Sequence, residues 1–118
     1  MTEIDPSAVI GSDVSMDDSV EIERDVHIGD NCEFGKKVVI EKKAVIGNSV
    51  KIGDGTVIEK KVHIGSDCII GSKVIAAKKS SIGNGVTIGN NVMLEKNAVV
   101  NDNAVVPDGT LVKEDTTF

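Results

Sequence analysis

Two histidines, two cysteines and a dense set of lysines are the side chains of this chain that could carry chemistry. His27 and His63 stand 36 residues apart, and each is a candidate general base because an imidazole titrates near neutral pH. A catalytic zinc needs three protein ligands and an open position, so two histidines do not predict a metal centre. Cys32 and Cys68 are separated by the same 36 residues. Lys42, Lys43, Lys60, Lys61, Lys78, Lys79 and Lys96 recur at intervals of 18, beside Glu23, Glu41, Glu59 and Glu95 at the same interval. Stacked in space, the two columns would form either a solvated face that relieves its own repulsion or a groove for an anion.

These spacings are multiples of six, and the elements that must position the side chains follow from that period. From Thr2 to Asp115 the chain divides without insertion into nineteen hexads, among them Val26-His-Ile-Gly-Asp-Asn31 and Val62-His-Ile-Gly-Ser-Asp67. The third slot is apolar in every hexad from Ala8 onward, and only Ala76 there lacks bulk. Of twelve glycines, nine occupy slot four and three occupy slot six, as expected where backbones approach closely or φ is positive. Apolar residues in slots one and three, with a different residue between them, give each hexad a short strand followed by a turn.

A second period of eighteen repeats Val38-Val-Ile-Glu-Lys-Lys43 as Thr56-Val-Ile-Glu-Lys-Lys61, Val74-Ile-Ala-Ala-Lys-Lys79 and Val92-Met-Leu-Glu-Lys-Asn97. Three hexads therefore make one coil, and about six coils at ~4.8 Å predict an all-β triangular solenoid roughly 30 Å long. The expectation is one domain over residues 1–118 with repeats from 2 to 115, no inserted loops and no C-terminal helix. Slot one fills the interior, which makes Cys32 and Cys68 small buried residues. Two coils separate them by ~10 Å, beyond the ~7 Å limit for a disulfide.

Slot two points outward, and its columns differ. One face displays Val39, Val57, Ile75, Met93 and Leu111, preceded by Glu3 and Glu21. A flat stripe of five apolar side chains implies a partner. The next face carries Val9, His27, Val45, His63, Ser81 and Val99. Its two histidines are ~10 Å apart, too far to share one metal; they are either surface residues flanking an interface or catalytic groups.

Composition narrows the partners. Thirteen basic and nineteen acidic side chains give a net charge of −6, and Trp and Tyr are absent, so nucleic acid is not an expected partner. No apolar run approaches the ~20 residues of a membrane span, and the start at Met1-Thr-Glu-Ile-Asp lacks a basic, apolar signal segment, which predicts a cytoplasmic protein. Residues 1–25 hold eight acids and one base, residues 26–100 seven acids and eleven bases, and residues 101–118 four acids and one base. Like charge at both ends, with Pro107 in the last full coil, opposes end-to-end stacking and predicts a discrete oligomer.

The hexads Ile28-Gly-Asp-Asn-Cys-Glu33 and Ile46-Gly-Asn-Ser-Val-Lys51 resemble the repeat of the hexapeptide-repeat family over nearly the whole chain. The resemblance implies a left-handed parallel β-helix, against the usual crossover hand, and a homotrimer with parallel prism axes. The family contains acyltransferases, γ-class carbonic anhydrases and non-catalytic solenoids, and fold does not choose among them. Carbonic anhydrase chemistry needs three histidines across an interface, which His27 and His63 do not supply. The segment His63-Ile-Gly-Ser-Asp-Cys-Ile-Ile-Gly71 resembles the active-site segment of lipid A type acyltransferases, with Ser66 in the slot of the catalytic histidine; Asp30 holds that slot in the hexad of His27. Serine is not a base unaided, which leaves His63, or His27, as the candidate catalytic residue.

By the same resemblance, acyl-CoA is a possible co-substrate rather than a tightly bound cofactor, Lys78, Lys79 and Lys96 are candidates for its phosphates, and the acceptor is a small amine or alcohol. The interface would be Val39, Val57, Ile75, Met93 and Leu111. Acyl transfer at a cleft between subunits is the first reading. A non-catalytic scaffold is the alternative.

Overall fold

A computed structural model describes residues 3–118; Met1 and Thr2, the latter being slot one of the first hexad, lie outside the described residues. The chain coils as a left-handed parallel β-helix, a prism of 35 × 20 × 19 Å. Slots two and three of each hexad form a two-residue strand, and slots four to six turn the corner. Hexads pair in parallel with the hexads eighteen residues away, giving sheets of seven, six and five strands. The seven-stranded sheet runs from Glu3–Ile4 to Leu111–Val112, and the six-stranded sheet from Val9–Ile10 to Val99–Val100. The hexad from Val14 to Ser19 contributes only the bridge of Ser15 to Glu33. No helix occurs among the described residues.

The corner is built from two different demands that both favour glycine in the sequence. Slot six takes a left-handed backbone, at Gly55 (φ 71°), Gly85 and Gly109 but also at Asn31, Lys43, Lys61, Asp67 and Lys79. Asparagine, aspartate and even lysine tolerate it because the structure on either side holds the turn. The exceptions are Ser7 and Ser19, where the turn closes differently. Their N–H groups donate to the Asp5 and Asp17 carboxylates at 2.9 and 2.8 Å, and these serine bonds hold both carboxyls below their ordinary range.

Slot-four glycines have ordinary φ and serve a steric purpose instead. A Cβ on Gly47 would lie 2.6 Å from Ser66 Oγ and 2.8 Å from the Gly65 carbonyl carbon of the next coil. The coils approach so closely there that only a hydrogen fits.

Slots one and three close the interior. Ile40, Ile58 and Leu94 are fully buried, with Val26, Val38, Val62 and Val74 beside them. Three members of slot one satisfy corner carbonyls across the coil step. Thr56 Oγ1 donates to the Gly71 carbonyl at 2.8 Å, and the Cys32 and Cys68 thiols donate to the Gly47 and Gly83 carbonyls at 3.2 and 3.1 Å. Both cysteines are free and buried, and burial pushes their thiol pKa values up, which makes them poor nucleophiles. Ser80 Oγ is the buried hydroxyl without a partner among the described residues.

The two glycine roles predict different substitution costs. Gly47→Ala drives a methyl into rigid backbone and should cost about 3 kcal/mol. Gly55→Asn should be near neutral, within about 0.5 kcal/mol, because Asn31 and Asn91 already hold that conformation. Urea unfolding followed by far-UV circular dichroism checks the pair; equal costs would show that the corner does not distinguish its two glycine slots.

Candidate functional site

At two of the three corners, slot five carries a hydrogen-bond ladder between coils. Asp30 Oδ1 accepts the Ser12 N–H at 2.9 Å, Asn48 Oδ1 the Asp30 N–H at 2.8 Å, Ser66 Oγ the Asn48 N–H at 3.0 Å, and Asn84 Oδ1 the Ser66 N–H at 2.8 Å. A second ladder includes Asp54 with the Lys36 N–H and Asn90 with the Ser72 N–H, both at 2.8 Å. Ser66 and Asp30, for which the sequence resemblance suggested the slot of a catalytic histidine, are therefore rungs. The Ser66 hydroxyl accepts from one coil while its backbone N–H donates to the next, and its carbonyl accepts the Gly85 N–H at 2.9 Å. Asp67, in slot six, is exposed, whereas Cys68 points into the core.

The ladder has a sequence signal that the periodicity reading passed over. Every slot-four glycine is followed nineteen residues later by Asp, Asn or Ser, as in Gly29 with Asn48 and Gly65 with Asn84. Removing the Cβ in one coil makes room for the short acceptor of the next.

The histidines lie on the six-stranded sheet, where His27 pairs with Val45 and Val45 with His63. Both side chains are exposed, and the intervening strand keeps them apart rather than bringing them together. His63 sits between Val45 and Ser81 on its face. The corner that precedes it carries Lys60 and Lys61. Among the described residues no group of three His, Cys, Asp or Glu side chains could hold a metal ion.

The lysine corner separates the histidine face from the apolar face. Lys78 and Lys96 stack in slot five and Lys79 follows in slot six with φ 63°, all three exposed. The glutamates beside them turn to the backbone rather than to the lysine ammonium groups. Glu23 and Glu59 accept the N–H groups of Lys42 and Lys78, both at 3.2 Å, and Glu95 accepts that of Glu114 at 2.9 Å. The ion pairs among the described residues join Arg24 to Asp25, one coil before Lys42 at this same corner, and Lys51 to Glu33 on another face. Burial, followed by the Glu23 and Glu59 carboxylates, pushes the Glu41 carboxyl above its ordinary range.

On the apolar face Val39, Val57, Ile75, Met93 and Leu111 stand in unbroken register. Ile75 and Leu111 are 38% and 51% exposed, and the other three are half-buried by their neighbours. At the acidic end of this face, a groove of about 550 Å³ is lined by Glu3, Asp5, Glu21, Glu23, Arg24 and Lys42 among others, away from His63 and Lys78. The third face, which the slot-two reading left undescribed, exposes Ile69 and Val105.

A family model described as bacterial transferase hexapeptide (six repeats) matches residues 43–76 and 79–114. No curated protein matches the chain in sequence. Among solved structures, a mutant perosamine N-acetyltransferase from Caulobacter crescentus, in complex with CoA and GDP-perosamine, superimposes with a TM-score of 0.77 at 18% identity, over 92% of this chain and 49% of that one. A UDP-N-acetylglucosamine acyltransferase from Francisella novicida gives 0.69 at 18% identity, over 98% and 60%. This chain thus spans about half the length of the first and three fifths of the second. No described helix is long and apolar enough to cross a membrane.

Because Ser66 is a rung, its substitution should read out in stability. Ser66→Ala leaves the Asn48 N–H without its acceptor and should cost about 1 kcal/mol, whereas Ser66→Asn, matching Asn48 and Asn84, should cost nothing measurable. Hydrogen exchange at the Asn48 amide should speed up in the alanine variant alone. Unchanged exchange would mean that the hydroxyl carries no weight in the ladder.

Proposed function

The chain belongs to the bacterial transferase hexapeptide family, and from that membership we propose that it transfers an acyl or acetyl group from an acyl-CoA donor to a small amine or alcohol at a cleft between subunits. The observation that carries this reading is the exposed imidazole of His63, which follows directly on the lysine corner at Lys60 and Lys61. With Ser66 and Asp30 engaged as rungs, His63 is the base, with His27 as its counterpart two coils away. Its free ring nitrogen takes the proton as the acceptor attacks the thioester carbonyl. The tetrahedral intermediate then expels the thiolate, which leaves with that proton. Lys78, Lys79 and Lys96 hold the donor's phosphates by charge. The Caulobacter neighbour was solved with CoA, which supports a donor of that kind.

A single prism presents its candidate groups on flat faces, so the cleft is assigned to a homotrimer with parallel axes. Its interface is the stripe of Val39, Val57, Ile75, Met93 and Leu111. The second reading, a non-catalytic scaffold built on the same interface, is favoured by one observation: the slot in which resembling enzymes place their base is spent on the ladder here.

Isothermal titration of acetyl-CoA separates the two readings, with protein concentration set by refractive index because Trp and Tyr are absent. Saturable binding near one site per chain is expected; no heat up to millimolar ligand would leave the scaffold. Once an acceptor is identified, His63→Ala should lower turnover by about 10²-fold or more, with stability changed by less than about 0.5 kcal/mol. Unchanged turnover removes His63 from the chemistry.

The interface is tested separately by sedimentation velocity. Ile75→Asp places a charge at the centre of the stripe and should convert the trimer to monomer while the circular dichroism spectrum is retained. An intact assembly would move the interface to another face.

A further inference from the structure

The interior of the prism is less covered at its N-terminal end than anywhere else along the axis. In the first coil Ile4, an inward slot-three residue, is 41% exposed, and Ala8, Ile10, Val14 and Met16 are only half-buried against the core. One coil further on, Val20, Ile22, Val26 and Ile28 are all buried. At the C-terminal end Phe118 is exposed, but Val106 and Val112 are still only 1% and 4% exposed. A solenoid needs a polar outer face on its terminal repeat to stand alone in water, and the first coil presents an apolar floor instead. Val9–Ile10 is also the edge strand of its sheet, paired to His27–Ile28 on one side alone. An open strand edge occurs at both ends of any such coil; the apolar floor is what sets this end apart.

Charge says what would cover that floor. Residues 1–25 carry eight acids against the single base Arg24, and Glu3 and Asp13 stand exposed at the rim. The Asp5 carboxyl is held below its ordinary range by its bonds from Ser7, so it stays ionised well below neutral pH. The groove of about 550 Å³ begins at this rim, with Glu3, Ile4, Asp5 and Glu21 in its wall. A second copy of the chain is not the complement, because residues 101–118 are also acidic, with four acids against one base. The complement is a segment that is extended, to add to a strand edge, and basic, to match the rim.

We propose that the N-terminal end of the prism docks an extended basic segment of another protein, whose apolar residues lie over Ile10, Val14 and Met16 as a further coil would, while its Lys or Arg side chains face Glu3, Asp5 and Asp13. The prism is 20 × 19 Å in cross-section, so about six extended residues span one face. The dock stands on the first coil and uses neither His63 nor the apolar stripe.

The test is a titration of the ¹⁵N-labelled protein, at constant ionic strength set with sodium chloride, with a synthetic peptide of about twelve residues in which Lys and Val alternate, long enough for two faces. The Ile10, Asp13 and Met16 amides should shift saturably at about one peptide per chain, and the Val106 and Val112 amides should not. Asp13→Lys should weaken binding about tenfold. Lysine already holds the same left-handed slot-six backbone at Lys43 and Lys61, so this variant reverses a charge without straining the turn. Asp115→Lys makes the same change in slot six at the other end and should leave binding as it is. A peptide alternating Lys and Ser has the charge without the apolar contact and should bind about tenfold more weakly or less. Equal binding of the two peptides, equal loss in the two variants, or first-coil amides that stay unmoved overturns the dock. So does a concentration-dependent shift of those amides in the protein alone, which would give the end to a second copy.

Discussion

The close approach of successive coils at the corners is the constraint on which the rest of the structure depends. Parallel pairing sets adjacent strands ~4.8 Å apart, and the corners must follow at the same spacing although they lie outside the sheets. The slot-five N–H at a corner then needs an acceptor from a neighbouring coil, and where slot four is glycine the approach is too close for a side chain there. The chain resolves this in two ways. Where slot four is glycine, a short Asp, Asn or Ser of the next coil reaches back to the N–H, as Asn48 does to Asp30. Where slot four is glutamate, the carboxylate reaches forward, as Glu59 does to Lys78. The direction is chosen by which of the two positions carries a side chain.

This division also determines where chemistry can reside. Rungs of the first kind consume their polar side chains, and Ser66 and Asp30 are among them. Rungs of the second kind consume the glutamate and leave slot five free to carry a lysine whose ammonium is unpaired. Functional groups are thereby confined to the slot-two faces and to the lysine corner, which adjoin one another along the prism. A flat face does not surround a substrate, and this is the physical reason for assigning the proposed reaction to a cleft shared between subunits.

Much of this was legible in the residues. The six-residue period placed every strand, the inward pair of slots gave the core, and the eighteen-residue period gave the stacking of Val39, Val57, Ile75, Met93 and Leu111 and the separation of His27 from His63. Both cysteines are buried and free, as their slot required. The hand of the coil came from resemblance, since a repeat length is the same for either hand. Periodicity did not separate the two glycine slots, because a positive φ at Gly55 and a steric void at Gly47 leave the same letter in the sequence. Nor did it find the ladders, whose signal is a pairing nineteen residues apart and therefore crosses both the hexad and the coil. The exposed Ile69 and Val105 went unremarked because their column also holds Glu33, Lys51 and Thr87 and has no uniform character.

The glutamate column beside the lysines accepts backbone N–H groups, and this changes what the corner is. A carboxylate bonded to the backbone still contributes its charge to the lysines nearby, but its oxygen is no longer free to hold an ammonium in one geometry. The lysines stay solvated and available.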